Sequence, residues 1–333
     1  MAGRRSMIIP QHQYLGLRMD SEQRHGVCFY KCFMSPTVSI SQVLTTRTDS
    51  LFKSMVQATK DNNLIMDFAM GPNQGTGVPA PSTSDGLMWD LVIFNETVPL
   101  GMSFDDVLPG WGTGPLEAAV TALVANSSVA DLITPGLPGD YAEERTQYTL
   151  AESSLEDVSN KVSPNGYLKV DFDPHKTEEG LYNTVFAIYL VHSHWRAQDG
   201  PADFAGQAIP ARTIAQNGSW AVDHFSSLGA ETMTKFWEDY ILQNGTRELL
   251  MEVGNYGWED SVEIQSNVFW TKHMKTHFVE DHGYSVAKYL PTLFHRDGLG
   301  ADSNPSIWWI TDEPDTGLGH IADYRATVRS YRH

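Results

Sequence analysis

The chain has 333 residues, 41% of them hydrophobic and 19% charged, which is a globular composition long enough to bury a sizeable core in one large or two ordinary domains. A formal net charge of −18 speaks against nucleic acid or any other polyphosphate as a partner, because binding one rests on cations that displace its counterions. No run of about 18 apolar residues occurs, so no membrane-spanning helix and no membrane partner are expected.

Residues 1–40 read as a poorly specified leader. Arg4, Arg5, Arg18, Arg24 and Lys31 are interleaved with polar residues, and the apolar stretch of a secretion signal is missing. Cys28 and Cys32, one helical turn apart, read as ordinary thiols. Leu51, Phe52, Met55, Val56 and Thr59 have helical spacing, and the run 64–70 that follows reads as a buried strand. That strand ends in a glycine-rich loop, 71–77, holding Asn73 and Gln74, where backbone can approach a ligand closely. Its glycines lack the spacing of a phosphate loop, and no Lys-[ST] follows.

From 89 to 216 short alternating runs (91–94, 146–150, 167–172, 184–190) are separated by Gly, Pro, Asn and Asp clusters, a β-sandwich pattern. Ser163-Pro164-Asn165-Gly166 is a hairpin signal, since Asn-Gly accepts positive φ. The α/β texture resumes after Ser219. Residues 220–223 read as a strand, and 226–242 as one amphipathic helix burying Leu228, Met233, Phe236, Trp237, Tyr240 and Ile241. The run 249–253 reads as another strand, breaking at Gly254 into a loop with Asn255, Tyr256, Trp258, Glu259, Asp260 and Glu263. A helix between 271 and 289 closes at Pro291, and the apolar run 307–310 leads through an acidic turn into a last helix.

Carboxylates and aromatics just past a strand occupy the place where α/β proteins keep their chemistry. If a helix follows Gly257, Glu259 and Glu263 project from one face. Such mixtures suit sugars, because rings pack on pyranose faces while carboxylates bind hydroxyls and move protons.

The run Asp260-Ser261-Val262-Glu263, then Phe269-Trp270-Thr271, Gly283-Tyr284 and Tyr289-Leu290-Pro291, resembles the D-S-x-E … W-T … G-Y … Y-L-P signature of family 106 glycoside hydrolases, the α-L-rhamnosidases, and most closely their fungal branch. Residues 64–75, 220–225 and 323–327 agree with it, so the resemblance runs from about Leu51 to the end. It implies a partial (β/α)8 TIM-like barrel with an inserted β-sandwich domain. On that reading 41–88 open the barrel, 89–216 are the insertion, and 217–333 continue the barrel to where the chain is cut off. It further implies a secreted inverting glycosidase with a carbohydrate or glycosylated small-molecule substrate, Glu263 as general acid and Ca2+ at the site. The family's second catalytic glutamate has no counterpart here, so a second reading is a truncated, non-hydrolytic relative.

Each candidate residue has a plainer alternative. Glu263 is either the acid or a solvated helix-face glutamate paired with Lys272 or Lys275; Glu259 and Asp260 either tune its proton affinity or help hold a hard cation. Asp67 and Asp223 end predicted strands, as Glu252 nearly does, and bind hydroxyls or cap the next helix. His224 binds sugar or is simply buried, and Trp258 and Trp270 stack on sugar or fill the core. His192 and His194 have the spacing of a metal pair without a third ligand, and Asp312, Glu313 and Asp315 lack the spacing of a calcium loop. No G-x-S-x-G elbow is present. N-x-[ST] sequons at Asn95, Asn126, Asn217 and Asn244 fit either export or chance.

Overall fold

The computed structural model describes residues 16–19, 26–29, 48–70, 77–78, 80–133, 142–173, 180–194, 220–259, 266, 268–294 and 307–330. In chain order the strands are β1 (Gly16–Met19), β2 (Gly26–Phe29), β3 (Met66–Ala69), β4 (Gly77–Val78), β5 (Trp89–Val98), β6 (Phe104–Val107), β7 (Leu116–Ile133), β8 (Ala142–Leu150), β9 (Glu156–Asp157), β10 (Tyr167–Val170), β11 (Tyr182–His192), β12 (Trp220–Ala221), β13 (Gly254–Trp258) and β14 (Ile307–Thr311). The helices are α1 (Thr48–Asp61), α2 (Ser227–Phe236), α3 (Thr246–Val253), α4 (Met274–His282) and α5 (Pro314–Ser330). A π turn at Trp237–Ile241 prolongs α2, and a 3-10 segment spans Ala287–Leu293. The chain forms two compact units, one of residues 1–88 and 194–264, the other of 89–193 and 265–333. No described helix is long and apolar enough to cross a membrane.

In the first unit α1 buries Phe52, Val56 and Thr59, spaced by three and four as one helix face requires. Phe52 and Val56 join Met66, Ile241 and Val253 in a small core. Here β3 and β13 run parallel, with Gly254 opposite Met66 and Trp258 opposite Ala69. The pair extends one step further, since Met70 N donates to Trp258 O at 2.9 Å. The Trp237 indole seals that end by donating to Met70 O at 2.8 Å. A second core of Val78, Ala80, Leu87, Trp220 and Val222 surrounds the short antiparallel pair β4–β12.

The second unit is built on a sheet of order β14-β8-β7-β11-β5, with β9 added against β7. Only β14 runs parallel, to β8. Strand β11 is buried on both faces, so the run 184–190, read from the sequence as alternating, is continuously buried because a layer packs on each side of it. Phe186 and Ile188 face a core that includes Trp270, Phe278, Leu290 and Trp309. Val185, Ala187 and Tyr189 face the other way, into a core shared with Phe104, Leu108 and Leu168 of the β6–β10 layer. The architecture is mixed α/β with several separate sheets, and among the described residues no sheet closes into a barrel.

Local readings change in four places. Residues 249–253 lie in α3, not in a strand, and the strand is the next segment, β13. Met251 is 82% exposed while Val253 is buried, so the apolar run is one helix face plus an outlier, and Gly245 at φ 82° starts the helix. Glu252 is therefore no strand-end carboxylate; it pairs with Lys60 at 2.7 Å. Residues 254–258 being extended, no helix follows Gly257 directly. The amphipathic helix ends at Phe236 and loosens into the π turn; Leu228 in its first turn and Tyr240 in the π turn are exposed rather than buried. The Asn165-Gly166 turn forms with Gly166 at φ 82°, but its strand, β10, pairs with β6 rather than with the run before it.

Candidate functional site

The polar residues of interest in the first unit lie along the β3–β13 pair, Asp67 and Asn255 toward its amino end and Glu259 just past its carboxyl end. Asp67 lies on β3 opposite the place where the register with β13 shifts, between Gly254 and Gly257. Its Oδ1 accepts from Asn255 Nδ2 at 3.0 Å and from Tyr256 N at 3.2 Å. Two donors on one oxygen fix the carboxylate's orientation. Glu259 follows β13 directly, and its Oε1 lies 2.7 Å from His224 Nε2. This pair is largely shielded, with 15% of the histidine side chain and 24% of the glutamate side chain exposed. His224 Nδ1 and Trp258 Nε1 are both buried and have no hydrogen-bond partner among the described residues. Such atoms are costly unless water or a ligand bonds them.

What holds His224 in place is the start of α2. Asp223 is buried, donates its N–H to Gly86 O at 2.9 Å, and accepts from Phe225 N at 2.9 Å through Oδ1. Ser226 caps the helix, accepting from Gly229 N at 3.3 Å. A Cβ on Gly229 would sit 1.9 Å from Asp223 O, so only glycine lets the helix press this closely on the residue before His224. Asp223 thus serves the turn through its backbone and Oδ1, and presents its neighbour to Glu259.

Of the residues singled out in the sequence, Asp67, Asp223, His224, Asn255, Trp258 and Glu259 belong to this unit; Asn73, Gln74, Asp260 and Glu263 lie outside the described residues. Trp270 belongs to the second unit, fully buried, with Nε1 donating to Glu117 Oε1 at 3.2 Å and its ring stacked on Tyr324. Burial pushes the Glu117 carboxyl above the usual range, against the pull of Lys275, 3.4 Å away. His192 stacks on Trp89 at 3.7 Å between ring centres, while His194, in the other unit, meets the edge of Trp220. Asp312 Oδ1 accepts from Glu152 N at 2.8 Å.

The motif residues Tyr284, Tyr289 and Asp323 form a network that their sequence positions do not announce. Tyr284 Oη donates to Asp323 Oδ2 at 2.8 Å and lies 2.7 Å from His320 Nδ1, which must then carry the proton of that contact. Tyr289 stacks on the same imidazole at 3.4 Å between ring centres, and burial lowers the pKa of His320. His320 gave no signal in the sequence, because its partners Tyr284 and Tyr289 come from a segment some thirty residues earlier.

Calcium needs six or more oxygens. Among the described residues no three His, Cys, Asp or Glu side chains are grouped to hold a metal ion.

No protein-family model matches the chain, and no curated protein does. A solved rhamnosidase from Novosphingobium sp. PP1Y aligns over 92% of this chain and 40% of its own, at 12% identity and a TM-score of 0.49. The chain spans about 40% of that rhamnosidase's length. Likeness at that level leaves activity to be argued from the residues themselves.

Proposed function

We propose that the chain is a rhamnosidase-like glycoside hydrolase that removes terminal rhamnose, with Glu263 as general acid, and that β3 and β13 belong to a partial (β/α)8 barrel. The observation that carries this reading is the shielded His224–Glu259 pair, one residue past a strand whose neighbour bears the oriented Asp67 carboxylate. An acid for glycoside cleavage must stay protonated, and a carboxylate held close in space favours that by like charge. On this reading Glu259, anchored by His224, would supply such a charge beside Glu263, which stands four residues on in the D-S-x-E run that resembles the family's catalytic motif. Asp67, its Oδ1 held by Asn255 and Tyr256, would present its other oxygen as an acceptor for a sugar hydroxyl.

The test is hydrolysis of an aryl α-L-rhamnoside by the purified 333-residue chain, with and without calcium, beside Glu263→Gln and His224→Ala. Turnover is expected in the parent, a loss of at least about 100-fold in Glu263→Gln, and a smaller loss in His224→Ala. Full activity in Glu263→Gln, or no turnover from a chain shown to be folded, would sink the reading.

A further inference from the structure

The second unit carries a surface that hydrolysis does not use. Phe94 and Trp111 are large, rigidly held and yet 37% and 40% exposed. Both stand edge-on to the buried Tyr189, at 5.9 and 6.5 Å between ring centres. Tyr189 in turn donates its hydroxyl to Pro109 O at 2.9 Å, which pins the turn that bears Trp111.

Glycines close one side of each ring. A Cβ on Gly110 would lie 2.3 Å from Phe94, and one on Gly166 would lie 2.2 Å from Trp111. Both have positive φ, 71° and 82°, so turn geometry and close approach each demand glycine there. With backbone against one side, the exposure of each ring belongs to the other. Gly112, next to Trp111, has open space where a side chain would stand. Beyond Gly166, Tyr167 is 41% exposed and donates its hydroxyl to Asp105, whose Oδ2 also pairs with Lys169 at 3.1 Å.

From these pre-set ring faces bordered by a hydrogen-bonding rim, we infer that the surface around Trp111, Phe94 and Tyr167 binds a neutral glycan. Ring faces carry negative quadrupole charge, which attracts the polarised C–H groups on a pyranose face. Rings already immobilised by packing lose little entropy on binding. The rim supplies both acceptors and donors for hydroxyls through Asp105, Tyr167 and Lys169. A net charge of −18, with Asp105 and Asp106 at this rim, opposes anionic glycans. It also opposes a second copy of the chain, because a two-fold contact would set these carboxylates against themselves.

The probe is affinity electrophoresis of the full chain in native gels containing galactomannan, xyloglucan or arabinan, with polygalacturonate as the anionic control. At least one neutral polysaccharide should retard the parent and Glu263→Gln equally, while Trp111→Ala weakens retardation about tenfold and Trp111→Phe keeps most of it. Because Glu263→Gln is read by binding alone, failure of the hydrolase reading leaves this result intact. Thermal unfolding checks that Trp111→Ala is folded; if it is not, Tyr167→Ala is the deciding variant and should weaken retardation too. No retardation by any neutral polysaccharide, retardation by polygalacturonate alone, or equal retardation of folded variants and parent would overturn the inference. So would a change from dimer to monomer on substitution without any glycan binding.

Discussion

Replacing Trp270 by phenylalanine separates a core role from a sugar-stacking one. Its side chain is 0% exposed, it faces Phe186 and Ile188 across a common core, and its indole is a donor to the buried Glu117. Phenylalanine keeps a six-membered ring, so the loss has two parts. The Glu117 carboxylate forfeits a donor and is left with Lys275, which costs about 1–3 kcal/mol for a buried charged acceptor. The missing part of the indole leaves a void worth roughly 1 kcal/mol if the neighbours do not close on it. The sum, about 2–4 kcal/mol, corresponds to a drop of roughly 5–15 °C in the melting temperature of a unit this size. Urea unfolding followed by circular dichroism measures it, and Trp270→Phe should cost less in a Glu117→Gln background than in the parent, because a neutral amide loses less than a buried carboxylate when its donor goes. A Trp270→Phe protein within about 0.5 kcal/mol of the parent, but with weakened rhamnoside binding, would refute the core assignment.

Three further outcomes follow from the same geometry. Gly229→Ala places a Cβ 1.9 Å from Asp223 O, and the overpacking of about 1–3 kcal/mol outweighs a helix-propensity gain of at most about 1 kcal/mol. It should lower both stability and rhamnoside turnover, since His224 moves with Asp223; a variant unchanged in both would show that the contact relaxes freely. Glu117 is more easily protonated in the fold than in the unfolded chain, so its contribution is most favourable below the unfolded pKa of about 4.5 and is lost as pH rises through the raised folded value. Glu117→Gln should therefore raise the urea midpoint at pH 7 and lose that advantage below pH 4, and a lower midpoint at pH 7 would contradict it. Tyr284→Phe removes the donor to Asp323 and the acceptor for His320, and should cost about 1–3 kcal/mol by thermal unfolding, whereas a neutral change would mean water replaces the hydroxyl.

How much could be read from the sequence depends on the distance over which each feature is decided. Helix α1 was legible because burial on one face is written in consecutive residues, whereas β11 was legible as a strand but not as one buried on both faces, since the second layer that covers it comes from distant segments. Residues 249–253 were not, because five apolar-rich positions fit either period, and the helix is settled by Gly245 upstream and by Lys60 waiting for Glu252. The opposite fates of two tryptophans follow from partners no window contains: Trp270 meets Glu117, 153 positions away, while Trp258 keeps a buried N–H without a partner among the described residues. His224 was singled out for its neighbour Asp223, yet what gives it chemistry is Glu259, 35 positions on. Gly229 looked like any helix glycine, although a backbone approach of less than 2 Å from its absent Cβ sets where that histidine stands. The glycan surface shows the same logic from the other side: Trp111 is made a platform by Gly166, a turn residue whose positive φ was legible but whose second duty, flooring a ring 55 positions earlier, was not. Local pattern therefore predicts which segments exist, and glycines at contacts decide which side chains are left facing a ligand. Substituting Gly229 or Trp111 probes that second, non-local layer directly, and the two do so in different units.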